Sequence, residues 1–200
     1  MIVRPLDAAD VAAAIDFART SGLALSVRGG GHNVAGPAFT VRCAPGDNLM
    51  LHAAILRATP GSVIVVESGD LDYALAGGNV CAVAQRRGIV AFVLDGLIRD
   101  LAEVRELRFP VFARGVIPIP GVRKTPGLID VPVVCGGVTV APGDVVVADE
   151  EGIVVVEKGR AEAVLAQAAP KAEKDATTTL ADWVKAHKAR IDEITRSLGI

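Results

Sequence analysis

Arg99 and Asp100 close the run DGLIRD at 95–100, and their side chains suit a small anionic carbonyl compound. A guanidinium is a planar, permanently charged fork that matches a carboxylate and an adjacent keto oxygen. An aspartate is a hard oxygen ligand of the kind that Mg2+ or Mn2+ takes. In an extended strand the two side chains would point to opposite faces; in a turn or a first helical turn both line one pocket. The plainer alternative is a surface ion pair.

Gly77, Gly78, Asn79 and Val80 form the second feature. Backbone N–H groups near a helix start, together with the helix dipole, favour an anion such as a substrate carboxylate. The same residues also read simply as a glycine-softened helix N-terminus. Arg123 and Lys124, in IPIPGVRKTPG, put two positive charges on a stiff loop. They would suit the distal carboxylate of a dicarboxylic substrate, or else are solvated loop charges. Asp149, Glu150 and Glu151 read as an acidic hairpin tip closed by Gly152, Asp47 as a helix cap and His52 as a packing residue inside that helix. Cys43, Cys81 and Cys135 lack zinc or redox spacing and sit in apolar stretches, so buried, reduced thiols are expected.

The elements that must position these groups follow from periodicity and punctuation. Residues 7–21 place Val11, Ile15 and Ala18 on one helical face, with Asp7 or Asp10 at the start and Gly22 at the stop. A short strand over 23–27 runs into the turn RGGGHNVAGP at 28–37. A helix is predicted from Asp47 or Asn48 to about 58, a buried strand over 61–68, and a helix over 72–87 whose first turn is loosened by Gly77-Gly78. Another buried strand covers 89–96, ending at Asp95-Gly96, and a third strand-like run covers 109–115. Over 131–159, β-branched runs broken by Pro-Gly-Asp and Asp-Glu-Glu-Gly read as antiparallel strands. The segment 160–169 is predicted helical, and Pro170 separates it from a charged amphipathic helix over about 171–197 that carries Trp183. Helices alternating with buried strands, followed by a β-rich section, make a layered α/β domain.

Composition sets the outer bounds. Hydrophobic residues are 51% and charged residues 22% of 200, which excludes disorder. No run of about 18 uncharged apolar residues occurs, so no membrane span is expected. The first ten residues hold an acidic residue early and no apolar segment, unlike a secretory signal. A formal charge of −2 and only seven aromatic residues (one Trp, one Tyr, five Phe) argue against a nucleic-acid surface. A cytoplasmic chain without membrane or nucleic-acid partners is the expectation.

From about residue 37 onward the sequence resembles the RraA-like family, the ribonuclease-inhibitor homologues that include the 4-hydroxy-4-methyl-2-oxoglutarate aldolases. PAFTVRCAPGDNLMLHAAI at 37–55, PGSVIVVES at 60–68, GGNVCAVAQRRGIVAFVLDGLIRD at 77–100, FPVFARG at 109–115 and PGDVVVADEEGIVVV at 142–156 carry the resemblance. It implies an α/β/α-type sandwich like the swivelling phosphohistidine domain, assembled as homotrimers or hexamers with sites near subunit interfaces. It implies that Arg99 binds a pyruvyl group, that Asp100 holds Mg2+ or Mn2+, and that residues 77–80 meet the substrate carboxylate. The reaction implied is retro-aldol release of pyruvate from a 4-hydroxy-2-oxo acid, with oxaloacetate decarboxylation as a side activity. The alternative is a non-catalytic regulator that binds a ribonuclease.

The chain departs from the aldolase pattern at one position. That pattern has an acidic residue, twenty others, then Arg-Asp; here the acidic place falls on Gly78. Glu67, Asp70 and Asp72 are the nearby acids available to neutralise Arg99 instead.

Residues 1–36 resemble the opening of berberine-bridge-type flavin oxidases, where a turn matching Gly29–His32 approaches the flavin pyrophosphate and the histidine can carry the flavin. The rest of such a domain is absent, so this part is read as a remnant and flavin binding is not expected. The organisation expected is therefore a remnant over 1–36 loosely docked through its helix, an α/β domain over 37–169 and a C-terminal helical extension over 170–200.

Overall fold

The apolar runs VIVV at 63–66 and AFVL at 91–94 become the centre of a parallel sheet, because only a strand buried on both faces is apolar at every position. The computed structural model describes residues 2–3, 34–149 and 151–200. The expected helix 7–21, the strand 23–27, the Gly29–His32 turn and Glu150 lie outside the described residues.

In chain order the strands are β1 (Ile2–Val3), β2 (Val34–Arg42), β3 (Val63–Glu67), β4 (Ala74–Ala76), β5 (Ala91–Ile98), β6 (Val111–Val116), β7 (Leu128–Ile129), β8 (Val133–Cys135), β9 (Val138–Val140), β10 (Val145–Ala148) and β11 (Ile153–Val156). The helices are α1 (Leu49–Arg57), α2 (Gly78–Arg86), α3 (Leu101–Leu107), α4 (Ala161–Thr177) and α5 (Leu180–Leu198). Strands β1-β11-β10-β2-β3-β5-β4 form one mixed sheet in that order, with β6 added on β5 and β7 on β2. Residues 92–94 of β5 pair with both β3 and β6, so these flank opposite edges; β4 continues the β3 side at Leu97 and Ile98.

The alternation of β3 and β5 splits the core in two. Ile64, Val66, Phe92 and Leu94 face α1, α2 and α3, through Leu51, Ile55, Cys81 and Val104. Val63, Val65, Ala91 and Val93 face the β8–β9 hairpin, through Val133, Cys135 and Val140. The chain thus has the expected layered α/β fold, with a β-hairpin forming the layer opposite the helices. Val164 of α4 packs beside Ala35, Val147, Val154 and Val156. No helix among the described residues is long and apolar enough to cross a membrane.

Several predicted boundaries move. The helix expected over 72–87 begins only at Gly78, because Ala74–Ala76 are buried and pair with the end of β5 as a strand. A short apolar run has no period to distinguish the two states. Strand β5 continues through Asp95-Gly96 to Ile98, so Arg99-Asp100 is the true strand end. The break expected at Pro170 is absent: α4 runs through it, although an interior proline removes a backbone bond and costs about 3 kcal/mol. The helix ends instead at the threonines. Thr177 and Thr178 turn their hydroxyls onto the Lys174 carbonyl, and the Thr179 hydroxyl accepts the Asp182 N–H to start α5. The boundaries drawn at 36/37 and 169/170 accordingly fall inside β2 and α4.

Candidate active site

Two strand ends and two helix starts meet at one point. Strand β4 leads through Gly77 into α2, and its neighbour β5 leads through Arg99-Asp100 into α3. The Arg99 N–H donates to the Ala76 carbonyl at 2.9 Å, tying the two ends together. Ligands of open α/β sheets bind beyond the carboxyl ends of parallel strands, where helix N-termini present N–H groups.

Asp100 has φ 58 and ψ 40, a left-handed conformation that aspartate tolerates better than most residues. This bend breaks the strand alternation. Instead of pointing apart, Arg99 Nη1 and Asp100 Oδ1 stand 3.2 Å from each other. Their side chains keep 38% and 25% of their exposure, so both still reach solvent. The Gly78 N–H donates to the other oxygen, Oδ2, at 3.2 Å. Residue 77 has no room for a side chain: a Cβ there would lie 2.3 Å from Asp100 Oδ2 and 2.9 Å from Arg99 Cγ. Glycine at 77 is what lets the Arg-Asp pair rest on the start of α2. Beneath them Cys81 is fully buried, and burial first, then the Asp100 charge, push its thiol up to about 12. All three cysteines are buried and free, as expected.

The structure therefore joins Arg99, Asp100, Gly77 and Gly78. Asn79 is exposed, and Val80 is half-buried against the helix-side core. Helix geometry leaves the amides of α2's first turn without intrahelical partners, and one of them is already engaged by Asp100. Arg123 and the Lys124 backbone make their described contacts with His52 and Asp47 rather than with Arg99 or Asp100. Arg123 Nε donates to His52 Nε2 at 3.0 Å, and the Lys124 and Thr125 N–H groups each donate to Asp47 Oδ2 at 2.7 Å. Asp47, read as a cap, does accept from Leu49 N–H at 2.8 Å, but it also clamps this loop. Burial alone would raise its pKa; the N–H groups of Leu49, Lys124 and Thr125 outweigh that and hold it below the ordinary carboxylate value. Burial, then the Arg123 charge, lower the pKa of His52, which suits its role as acceptor.

Two of the acids weighed as partners for Arg99 have other work. Glu67 pairs with Arg42 and accepts from Val134 N–H, while Asp70 accepts from the N–H groups of Gly46 and Asp72. Glu103, which the sequence reading passed over, lies against Gly78 instead. The spacing Asp100-x-x-Glu103 has capping-box form, but Asp100 makes no side-chain cap hydrogen bond, so it marks a helix start and not the contact with Gly78. Asp95, at the head of the same DGLIRD run, pairs with Arg114 and accepts from Gly136 N–H. Asp95 and Arg114 line a separate cavity of about 510 Å3 with Phe112, Cys135, Asp149 and Glu151.

Among the described residues no cluster of three or more His, Cys, Asp or Glu could hold a metal. Asp100 still fits a hard cation such as Mg2+, which keeps several waters and often takes only one or two protein carboxylates.

The profile of the family described as RraA-like: Aldolase/RraA matches residues 8–155. A protein of Halalkalibacterium halodurans, provisionally named a 4-hydroxy-4-methyl-2-oxoglutarate aldolase, is 41% identical over 164 residues, 80% of this chain and 78% of that one. Among solved structures, the RNA-processing inhibitor RraA of Thermus thermophilus is 32% identical, with a TM-score of 0.60 over 64% of this chain and 78% of its own. Streptomyces coelicolor RraAS2, described as an unusual member of the RNase ES inhibitor RraA protein family, is 29% identical, with a TM-score of 0.65 over 86% of this chain and 96% of its own.

Proposed function

The chain belongs to the RraA-like family, and from that premise we propose that it is a divalent-metal-dependent lyase of the aldolase kind. It would release pyruvate from a 4-hydroxy-2-oxo acid of the 4-hydroxy-4-methyl-2-oxoglutarate type, with oxaloacetate decarboxylation as a side activity. The observation that carries this reading is the left-handed bend at Asp100, which puts a guanidinium and a carboxylate side by side at the amide-rich start of α2.

Arg99 is the group that binds and orients. Its remaining N–H donors can span the 1-carboxylate and 2-keto oxygens, and its fixed charge favours the negative charge that develops there as the C3–C4 bond breaks. The α2 amides of Asn79 and Val80 would complete the carboxylate site. Asp100 would hold Mg2+ or Mn2+, which when bound supplies Lewis-acid polarisation of the keto oxygen. Asp100 also limits where Arg99 can swing, so substrate enters a site whose charge is already arranged. The protein is proposed to act in the cytoplasm as a homotrimer or hexamer.

A second reading, a non-catalytic regulator that binds a ribonuclease, is favoured by one residue: Gly78, where the aldolase pattern has an acid. Coupling pyruvate release to lactate dehydrogenase separates the two. With 4-hydroxy-4-methyl-2-oxoglutarate or oxaloacetate and Mg2+, turnover is expected and EDTA removes it. A folded chain that captures a purified ribonuclease and turns over neither compound would establish the regulator instead.

A further inference from the structure

Residue 78 lacks an acid of its own, yet a carboxylate stands in the space its side chain would fill. A Cβ built on Gly78 would lie 1.9 Å from Glu103 Oε2, 2.9 Å from Glu103 Cβ and 3.0 Å from its Cδ. The contact with Cβ matters most, since Cβ is fixed to the α3 backbone and does not swing away as a carboxylate tip does. While residue 103 carries a side chain, α3 therefore sits too close to α2 for residue 78 to be anything but glycine, and that closeness brings the Glu103 carboxylate to the α2 start. Gly78 is in contact with two acids at once, through its N–H to Asp100 Oδ2 and through its Cα side to Glu103.

We propose that Glu103 is a positioning residue of the Arg99–Asp100 site, supplying from the first turn of α3 the carboxylate that residue 78 does not. The proposal rests on the reading of Arg99 and Asp100 as the substrate- and cation-binding pair. In charge terms the exchange is even: one acid is absent at 78 and one is present in the same volume. Glu103 also lies against the first residue of α2, where the helix dipole favours a negative charge. Placed there, it adds negative charge beside Asp100 and limits where the Arg99 guanidinium settles. Residues that act through a metal-binding neighbour in this way typically change affinity or activity by about 10–100-fold when removed.

The test uses the full chain and two readouts: Mn2+ affinity from the electron paramagnetic resonance of the free ion, and pyruvate release resolved into kcat and KM. Glu103→Gln should weaken Mn2+ binding and lower kcat by about tenfold or more. Glu106→Gln, the same charge loss one turn further along α3, should change neither. The exchange variant, Gly78→Glu with Glu103→Gly, should recover most of both, whereas Gly78→Glu alone should lose them because the two side chains compete for one space. A Glu103→Gln variant with wild-type Mn2+ affinity and kcat overturns the proposal, as does a wild-type chain that binds no Mn2+. If the wild type binds Mn2+ but releases no pyruvate, the lyase reading fails by itself. Glu103 then stands on whether the exchange variant restores the Mn2+ affinity that Glu103→Gln lost.

Discussion

Arg99 and Asp100 are neighbours in sequence, and it is the backbone conformation of one residue that brings their charged groups together. Because the left-handed conformation at Asp100 costs a side-chain-bearing residue about 1–2 kcal/mol, the site is held under local strain. Asp100→Gly should relieve that strain and raise stability by up to about 1 kcal/mol in denaturant titration, while removing the carboxylate and with it the activity. Arg99→Lys keeps the charge but loses the planar fork. It should lower kcat/KM by about 100-fold in the coupled pyruvate assay, the scale seen when one oriented transition-state donor is lost. At this scale the sequence was informative where chemistry lay in adjacent residues. DGLIRD singled out Arg99 and Asp100 because they follow a buried strand and match the family motif, and the structure does bring the two side chains together. Glu103 stayed hidden, since its role depends on how closely α3 leans on α2, a distance no local spacing encodes. Arg123 and Lys124 were singled out by charge, but their attachment to His52 and Asp47 depends on contacts more than 70 residues apart in sequence.

Asp47 shows how an element is fastened at its start. One buried carboxylate receives the Leu49 N–H of α1 and the Lys124 and Thr125 N–H groups of a distant loop. Asp47→Ala leaves those donors without their acceptor and should destabilise the fold by about 2 kcal/mol. The sign of the pH effect follows from the direction of its shift. Its folded pKa lies below the unfolded value near 3.9, so the stabilisation is full above that value and fades as pH falls through the folded pKa. Thermal melts between pH 5 and about 2.5 should accordingly fall less steeply for Asp47→Ala than for the wild type. The central elements were legible because β3 and β5 are continuous apolar runs and α1 is closed by Pro60-Gly61. Strand β4 was not, since three small buried residues carry no periodicity. Nor was the continuity of α4, where an alanine-rich stretch keeps its helix through Pro170 and the threonines end it.

At the scale of the whole molecule, the C-terminal helix lies exposed among the described residues. None of α5's residues is buried, yet Leu180, Val184, Ile191, Ile194 and Leu198 recur at steps of four, seven, three and four residues, and Leu180 and Leu198 are 77% and 69% exposed. An apolar stripe of that spacing is the pattern helices bury against one another. It supports the proposed self-association. Light scattering of the intact chain should give a trimer or hexamer, and Ile191→Asp should shift it toward smaller species with the circular-dichroism spectrum preserved. The layered fold was readable from the sequence, as were antiparallel strands over 131–159; that β8 and β9 form the layer opposite the helices was not, because it depends on Val133, Cys135 and Val140 packing on β3 and β5, far away in sequence. The family profile begins at residue 8, well ahead of the resemblance read from residue 37.

The most direct test of the central claim is the Mg2+-dependent rate of pyruvate release from 4-hydroxy-4-methyl-2-oxoglutarate, compared between the wild type and Asp100→Ala. Turnover in the wild type that EDTA abolishes and that Asp100→Ala lacks is the predicted result. Equal Mg2+-dependent turnover in both proteins would contradict the account, because it would place the chemistry away from Arg99 and Asp100.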